Sequence, residues 1–375
     1  QQSIREMTRT ARTPEQVLQA ARDAVQTSGY DQPWGADADH LKTRDDVEKT
    51  SRAGFCFFTI DPSEFVQNDA DRLAPTALEQ GVRQLLEENV LPADWENYYL
   101  GKTFELEGGT ALEFDQETLH RAALKYARAI HHSEAMAGWI AECQDDQPFE
   151  IEVSVDETDS PTSPREHLFF ARELGRRQVK VVSLAPRFVG EFEKGIDYKG
   201  DLLVLEKSLR DHVSIAQRYG PYKISIHSGS DKFSAYPIIG RVCGDLLHVK
   251  TAGTSYLEAL RVICRQDPDY FQEIIDYSLG RFSEDRASYH ISAHENDFTN
   301  VGAMSAGEYE GFFLDSDPGR QLLHVTFGSV LTRGIRESGQ SFKEAILETL
   351  EKEKDLHAEF LESHLGKHVR LLEKG

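Results

Sequence analysis

The chain of 375 residues has few cysteines, no long apolar run and no visible export signal. Its four cysteines are scattered without a CxxC pair, so we expect reduced thiols rather than disulfides or a cysteine-based metal site. No run approaches the roughly 20 apolar residues that a membrane-spanning helix needs. The opening QQSIREMTRT lacks the apolar core of a secretory signal. These absences predict a cytoplasmic protein that does not associate with membranes.

The sequence also lacks the motifs that bind nucleotides or build a serine hydrolase. It contains no GxxxxGKS or GxxxxGKT, no GxGxxG after an apolar run and no GxSxG. These absences disfavour a nucleotide or nicotinamide cofactor and a hydrolase triad. Positive charge is scarce as well, since 42 lysines and arginines are outnumbered by 64 acidic residues, which gives a formal net charge of −22. Such a surface repels phosphate backbones, so we do not expect nucleic acid as a partner.

What the sequence does contain is a series of short apolar runs separated by helical stretches. Val, Ile and Phe dominate most runs, and several alternate apolar with small or polar residues. This pattern is typical of parallel strands with helices on one face and a filled barrel interior on the other. The runs cover residues 34–39, 54–61, 149–157, 179–186, 222–229, 246–253 and 322–329.

Two of the intervening helices have clear start signals. Thr13 and Ser163 each precede a proline, and Gln16 and Glu166 can complete a capping box. Further helical patterns occur at 44–53, 117–143, 205–218, 255–265, 269–282 and 338–364. The alternation of strand and helix predicts an α/β fold with a parallel sheet.

The fold we predict is a (β/α)₈ barrel of the TIM type, which needs eight strands. Seven runs are visible, so we expect the first strand just upstream of Gln1, with QQS at its carboxyl end. The barrel domain would cover 1–337, with a helical insertion at 62–148 after the third strand and a C-terminal helical extension at 338–375. An open doubly wound sheet is the alternative, and a strand at 289–294 would upset the count.

Barrel enzymes collect their reactive groups at the carboxyl ends of the strands. Three histidines fall at such positions, namely His40, His227 and His248. Imidazoles bind zinc, nickel or manganese well, so these residues are candidate ligands of one divalent cation. Any one of them could instead be an ordinary hydrogen-bonded histidine, and the spacing names no metal.

Carboxylates and small polar loops occupy the same strand ends. Asp39, Asp156 and Glu157 could move protons on two faces of a substrate, or could cap a helix or bind the metal instead. The loops HSGSDK and KTAGTS resemble anion cradles, although Gly and Ser after a strand are commonly turn residues. The candidate substrate-binding residues are Gln2, Asp61, Asp156, Arg187, Ser228, Ser230, Lys232, Lys250 and Thr251.

Several segments are long and specific, among them QQSIREMTRT, PWGADADHLKT, GFCFFTIDPS, VDETDSPTSPREH, GPYKISIHSGSDKFSAYPIIGR and HVKTAGTSYLEALR. Together they resemble the tagaturonate epimerase family, also called hexuronate 4-epimerases, from Gln1 to about Asp285. The resemblance implies interconversion of D-tagaturonate and D-fructuronate with a divalent metal. It also implies that some relatives interconvert fructose and tagatose.

The resemblance assigns roles to individual residues. Asp39 would be a proton acceptor and Glu157 the opposing acid, with Asp156 as its close rival. The implied metal ligands are His40, His227 and His248. The cations that could pair with a substrate carboxylate are Arg187, Lys232 and Lys250.

The chemistry of the implied reaction favours bond cleavage. A ketone at carbon 2 acidifies the proton on carbon 3 but not that on carbon 4, so direct inversion at carbon 4 is hard. In a retro-aldol route a base removes the carbon-4 hydroxyl proton, the bond between carbons 3 and 4 breaks, and the aldehyde turns over and re-adds. A metal would act as a Lewis acid while carboxylates shuttle the proton. Direct proton exchange at carbon 4 is the alternative, and oxidation with bound NAD is disfavoured by the missing GxGxxG.

Two other functions stay open at this point. One keeps the barrel and the metal but performs ketose isomerisation or aldol cleavage. The other is a non-catalytic sugar-binding paralogue that has kept the pocket. In each case the expected partner is a small sugar acid or ketohexose, and a homo-oligomer is compatible with the sequence.

Overall fold

The computed structural model describes residues 2–251 and 254–373, and a parallel sheet lies at its centre. The strands in chain order are β1 (Gln2–Ser3), β2 (Asp37–Leu41), β3 (Phe57–Ile60), β4 (Thr103–Glu105), β5 (Ala111–Glu113), β6 (Glu150–Val155), β7 (Ser183–Pro186), β8 (Lys223–Ile226) and β9 (Leu247–Val249). Strands β4 and β5 form a separate antiparallel hairpin. The other seven pair in parallel, in the order in which they occur along the chain.

Helices fill most of the remaining chain. In order they are α1 (Ile4–Arg9), α2 (Pro14–Ser28), α3 (Arg44–Ala53), α4 (Pro75–Glu87), α5 (Gln116–Gln144), α6 (Pro164–Arg176), α7 (Leu202–Tyr219), α8 (Tyr236–Cys243), α9 (Ser255–Gln266), α10 (Pro268–Asp285), α11 (Ala306–Tyr309), α12 (Asp317–Arg333), α13 (Phe342–Lys352) and α14 (Lys354–Glu373). Both predicted capping boxes are present, at Thr13 and at Ser163. Within the described residues, no helix is both long enough and apolar enough to cross a bilayer.

The prediction of a closed eight-stranded barrel is wrong. Six of the seven apolar runs do contain strands, but the run at 322–329 lies inside helix α12. Leu322, Leu323 and Val325 are all buried, so this helix is enclosed on several sides. Short apolar runs of this kind cannot be assigned to strand or helix from periodicity alone. The sheet of the described residues has seven strands and is open, with β1 and β9 at its edges.

The predicted first strand is represented by Gln2–Ser3, which pair with Ala38 and Asp39 of β2. The run at 289–294 forms no strand. The connection between β3 and β6 holds α4, the hairpin and α5, and α5 packs against α3, α4 and α6. From Ser255 onward the described chain is helical, and these helices surround a second apolar cluster of their own.

The open sheet is curled around a polar interior. Apolar strand residues pack with helix residues in the main core, among them Phe58, Ile60, Val153, Ile224 and Ile226. Polar residues alternate with them and are also buried, namely Asp37, Thr59, Glu152, Ser183 and Ser225. Lys250, which follows β9, contacts Asp37 and Asp39 of β2, five strands away in the sheet. Such contacts are only possible across a concave face.

The C-terminal helix is attached through a close contact that can be tested. A Cβ added to Gly240 of α8 would lie 1.9 Å from the carbonyl oxygen of Leu372 in α14, and backbone cannot move aside as a flexible side chain can. We expect Gly240→Ala to lower the free energy of unfolding by about 1–3 kcal/mol, the usual cost of overpacking. It should also make α14 more accessible to proteases.

The matched control is Gly280→Ala in α10, where no atom lies within 4 Å of the added carbon. This change should be neutral or stabilising, because alanine is the better helix former. Thermal melting of both variants measures the difference. Equal melting temperatures would contradict the proposed contact.

Candidate active site

Side chains from β2 and from the end of β8 converge at the carboxyl edge of the sheet. Asp39 and His40 lie in β2, and His227 directly follows β8. One potential metal-binding atom of each residue lies within 4.8 Å of the others. The two imidazole rings meet edge to face, with centroids 5.2 Å apart. We call these three residues the donor cluster.

An irregularity in β2 brings His40 into the donor cluster. The register between β2 and β3 shifts between Ala38 and Leu41, and His40 has a left-handed φ of 54°. This conformation is costly for a residue with a Cβ. Nδ1 of His40 lies 3.0 Å from Oδ2 of Asp61, and Nε2 lies 3.9 Å from Oδ1 of Asp39. Asp61 therefore orients the ring so that Nε2 faces the cluster.

His227 is held between two carboxylates. Its Nε2 lies 2.7 Å from Oε1 of Glu152, and its Nδ1 lies 3.5 Å from Oδ1 of Asp156. Burial and the nearby Lys250 lower the pKa of His227, but the two carboxylates outweigh them and raise it to about 10. The hydroxyl of Ser154 donates to Asp156 and fixes that carboxylate beside the ring.

Lys250 lies directly beside the donor cluster and is surrounded by acids. Its Nζ is 2.9 Å from Oε1 of Glu152 and 3.1 Å from Oδ2 of Asp37, and it also donates to Asp39. Burial alone would lower the pKa of Lys250, yet the three carboxylates raise it. The hydroxyl of Thr59 accepts a further hydrogen bond from this ammonium at 2.9 Å.

Negative charge is in excess around the donor cluster. Four carboxylates surround it, belonging to Asp37, Asp61, Glu152 and Asp156, and Asp39 of the cluster itself is a fifth. Lys250, Lys42, which lies 3.7 Å from Asp61, and protonated His227 can neutralise three of the five. Because uncompensated charge away from water is expensive, this region favours additional positive charge.

His248 and Thr251, two further predicted site residues, lie apart from the donor cluster. Both line a separate cavity, whose other residues include those at the amino ends of β2, β3 and β6. Nδ1 of His248 lies 2.8 Å from Oε2 of Glu152, whose other oxygen binds His227. The structure therefore connects His248 to the cluster through Glu152. Gly253, which belongs to the predicted anion cradle KTAGTS, falls outside the described residues.

A cleft opens above the donor cluster, formed by connected cavities of about 410 and 300 Å³. The residues that line both cavities are Arg5, Asp156, Glu157, Lys194, His227, Ser228 and Tyr289. The inner cavity also reaches Gln2, Asp39, His40, Ser230, Lys250 and His324. Its size and polar lining suit a small hydroxylated ligand.

Two more predicted residues line this cleft with partners of their own. Oε1 of Glu157 lies 3.1 Å from the guanidinium of Arg5. Arg187 donates to the carbonyl of Thr158 and lies 3.9 Å from a carboxylate oxygen of Glu191. Both charges are thus already paired within the protein.

Lys232, predicted to bind substrate, is fully buried and does not line the cleft. Its ammonium donates to the carbonyls of Glu193, Ile196 and Ser230 at 2.8, 2.5 and 2.9 Å. Removal from water lowers the pKa of Lys232 to about 7. These bonds attach the loop after β7 to the loop after β8.

A second group of metal-type donors, Asp231, His364 and His368, lies behind the loop after β8. Nε2 of His368 accepts from the backbone N–H of Asp231, and its Nδ1 donates to the carbonyl of His364. Arg320 of α12 donates to the Asp231 carboxylate at 2.8 Å. These contacts attach α14 and α12 to the loop that carries His227.

Five residues of this region were not predicted from the sequence, namely Asp37, Glu152, Arg5, Lys194 and Tyr289. Two of them had a signal, because Asp37 and Glu152 are charged residues that alternate with apolar residues along β2 and β6. Lys194 had none, since it lies in an irregular loop with several other charged residues.

A curled parallel sheet with imidazoles and carboxylates at its carboxyl edge, below a polar cleft, defines an enzyme for small hydroxylated molecules. The chain matches the family model of tagaturonate epimerase over residues 1–372. It is 45% identical over 374 residues to the tagaturonate/fructuronate epimerase of Thermotoga maritima, covering 100% of this chain and 74% of that protein. The chain belongs to the tagaturonate epimerase family, as its motifs predicted, and is an isomerase that acts on carbohydrates.

Solved structures agree with this assignment. The fructuronate-tagaturonate epimerase UxaE from Cohnella laeviribosi, complexed with one glycerol, matches with a TM-score of 0.92 at 39% identity, over 99% of this chain and 74% of that chain. Its native structure matches with a TM-score of 0.90 at 38% identity, with the same coverage of 99% and 74%.

The ion pairs of Lys250 should contribute to the free energy of unfolding. Lys250→Met would leave three neighbouring carboxylates without their shared cation, so we expect a loss of about 3–5 kcal/mol in the free energy of unfolding. The control is Lys199→Met, because Lys199 is 41% exposed and lies 3.5 Å or more from its acidic partners. That change should cost less than about 1 kcal/mol. Equal denaturant midpoints for the two variants would refute this account of Lys250.

Proposed function

We propose that the chain interconverts D-tagaturonate and D-fructuronate by inverting carbon 4, with a divalent cation held by Asp39, His40 and His227. The observation that carries this proposal is the approach of three donor atoms to within 4.8 Å of one another beneath the cleft. Membership of the family and the names of the relatives support the substrate pair.

The donor set fits a divalent transition metal. Two imidazoles and a carboxylate suit zinc, nickel or manganese and leave positions for substrate oxygens. Asp61 orients His40 from behind, as hydrogen-bonded acids do for metal-binding histidines. A cation would take the place of the proton that Glu152 and Asp156 favour on His227. When bound, it supplies Lewis-acid stabilisation of a developing oxyanion.

The retro-aldol route assigns proton transfer to carboxylates of the cleft. The carbon-4 hydroxyl loses its proton to a carboxylate, the bond between carbons 3 and 4 breaks, and its electron pair passes to the enediolate of carbons 2 and 3. Rotation of the aldehyde and re-addition from its other face invert carbon 4. We assign proton removal to the Asp39 oxygen that the cation leaves free, and proton return to Glu157, with Asp156 as the alternative. Exchange with solvent protons restores both carboxyl groups between turnovers. The hydrogen bond from Ser154 and the neighbouring His227 favour the ionised form of Asp156, so Asp156 would have to accept a proton before it could return one.

Metal removal provides the first test. Chelation should abolish epimerisation, and added manganese, nickel or zinc should restore it. Asp39→Asn and His227→Ala should each lower turnover at least about 100-fold, the scale of a lost acid–base or electrostatic group. The control is His131→Ala, because the side chain of His131 is 57% exposed on α5. Full activity of a demonstrably metal-free sample would exclude the cation from the proposal.

The fate of the carbon-4 hydrogen tests the route. Retro-aldol cleavage keeps that hydrogen on carbon 4, so turnover in deuterated water should leave carbon 4 unlabelled in the product. A carbonyl reagent added during turnover should also trap a three-carbon hydroxyaldehyde acid. Deuterium at carbon 4, measured by NMR of both epimers, would contradict the retro-aldol route and support direct proton exchange.

A further inference from the structure

Lys194 differs from the other cations of the cleft in its partners. Lys250 is shared among three carboxylates, Arg5 is paired with Glu157, and Arg187 has a carbonyl and a carboxylate beside it. For Lys194, the described residues include no carboxylate oxygen within ion-pair distance. Lys194 nevertheless lines both cavities of the cleft. A half-buried lysine in a cleft is suited to an anion that comes from outside the protein.

The one hydrogen bond of this ammonium leaves donors available for a ligand. Nζ of Lys194 donates to Oγ of Ser228 at 2.6 Å. An ammonium has three N–H bonds, and a hydroxyl that accepts a bond can still donate its own hydrogen. Lys194 and Ser228 therefore present neighbouring N–H and O–H donors. A carboxylate, with two acceptor oxygens, can accept from both.

The loop that carries Lys194 is held in place on both sides. Lys232 donates to the carbonyls of Glu193 and Ile196, and Arg320 donates to the carbonyl of Gly195 at 2.7 Å. The same Lys232 ammonium binds Ser230, two residues after Ser228. Both donors are thus presented by loops joined to each other, which lowers the entropic cost of binding an anion.

The electrostatics of this part of the cleft are also positive. Burial and the neighbouring Lys194, Arg320, Lys232 and Arg9 together lower the pKa of His324 to about 3. Lys194, Arg320 and Arg9 are cations, and Lys232 is partly protonated near neutral pH because its own pKa is lowered to about 7. An anion next to Lys194 would therefore meet a favourable potential, in contrast to the acidic surroundings of the donor cluster.

We propose that Lys194 and Ser228 form the subsite for the substrate carboxylate and make the enzyme prefer a hexuronate to a neutral ketohexose. This inference rests on the proposed function. The carboxylate at carbon 6 is two bonds from carbon 4, and Ser228 directly follows His227 in the chain. A carboxylate bound there would keep carbon 4 beside the donor cluster. A neutral ketohexose has a hydroxymethyl group at this position and would gain no charge pairing.

Kinetics with paired substrates test the subsite. For Lys194→Met we expect kcat/KM with D-tagaturonate to fall by about 10- to 100-fold, the scale of a lost charged hydrogen bond, mainly through a higher KM. The loss with D-tagatose should be several-fold smaller, so the ratio of acid to neutral substrate falls. Lys194→Arg should recover much of the loss, because it keeps the charge. Lys199→Met is the matched lysine control and should leave the ratio unchanged.

Arg12 provides the discriminating control. It also lines the inner cavity, and its guanidinium donates to the carbonyl of Gln16 at 3.0 Å. If Arg12→Gln changes the ratio of acid to neutral substrate and Lys194→Met does not, the subsite lies elsewhere and the proposal is overturned. An unchanged ratio in folded Lys194→Met overturns it as well.

A binding measurement separates this inference from the proposed function. D-Galactonate and galactitol have the same carbon chain and differ at one end by a carboxylate and a hydroxymethyl group. Calorimetry should show that the wild-type protein binds galactonate more tightly and that Lys194→Met removes the difference. If the wild-type protein binds galactonate more tightly than galactitol but does not turn over uronates, the proposed function is rejected and the carboxylate subsite is not. Equal wild-type affinity for both ligands would reject the carboxylate subsite.

Discussion

The ion pairs of Lys250 are the interaction on which the site depends. This one ammonium joins acids of β2 and β6 and follows β9, so it connects strands that are distant in the sheet. Buried charges tolerate little displacement, because separation leaves each group uncompensated. The curl of the sheet, the position of Asp39 and the orientation of Glu152 are therefore coupled. An open sheet can hold a defined concave face in this way without closing into a barrel.

Glu152 extends this arrangement to the histidines. One of its oxygens binds His227 and Lys250, and the other binds His248. Burial opposes ionisation of Glu152, but His227 and Lys250 keep its pKa well below the usual value. The pKa shift favours the ionised form of this carboxylate, which fixes the nitrogen of His227 that faces away from Asp156. In the proposed enzyme, protons and the cation would compete for His227, so cation affinity would rise with pH.

The sequence predicted features set by local patterns and failed where tertiary position decides. Six strands and both capping boxes follow from alternation and cap chemistry, and these are local properties. The run at 322–329 is buried on almost every side because α12 is enclosed, and its alternation of apolar with small or polar residues looks the same as that of a strand. The alternation of side chains along a strand indicates that His227 and His248 point to the concave face of the sheet. It does not show at which level along the strands each imidazole lies. A buried lysine such as Lys232 has no sequence signature, because its carbonyl partners come from loops.

Helix α12, which was predicted to be the last strand, contributes to a difference in electrostatic potential between the two ends of the cleft. Arg320 holds the Lys194 loop, and His324 lines the inner cavity as a neutral imidazole. Acids of β2 and β6 surround the donor cluster, whereas cations gather toward Lys194. The proposed substrate matches both regions of the cleft. Oxygens at its ketone end can bind the proposed cation at the donor cluster, and the carboxylate at its other end can pair with Lys194. In the proposed enzyme, the strongly acidic chain would select an acidic sugar, because local charge rather than net charge determines what the cleft binds.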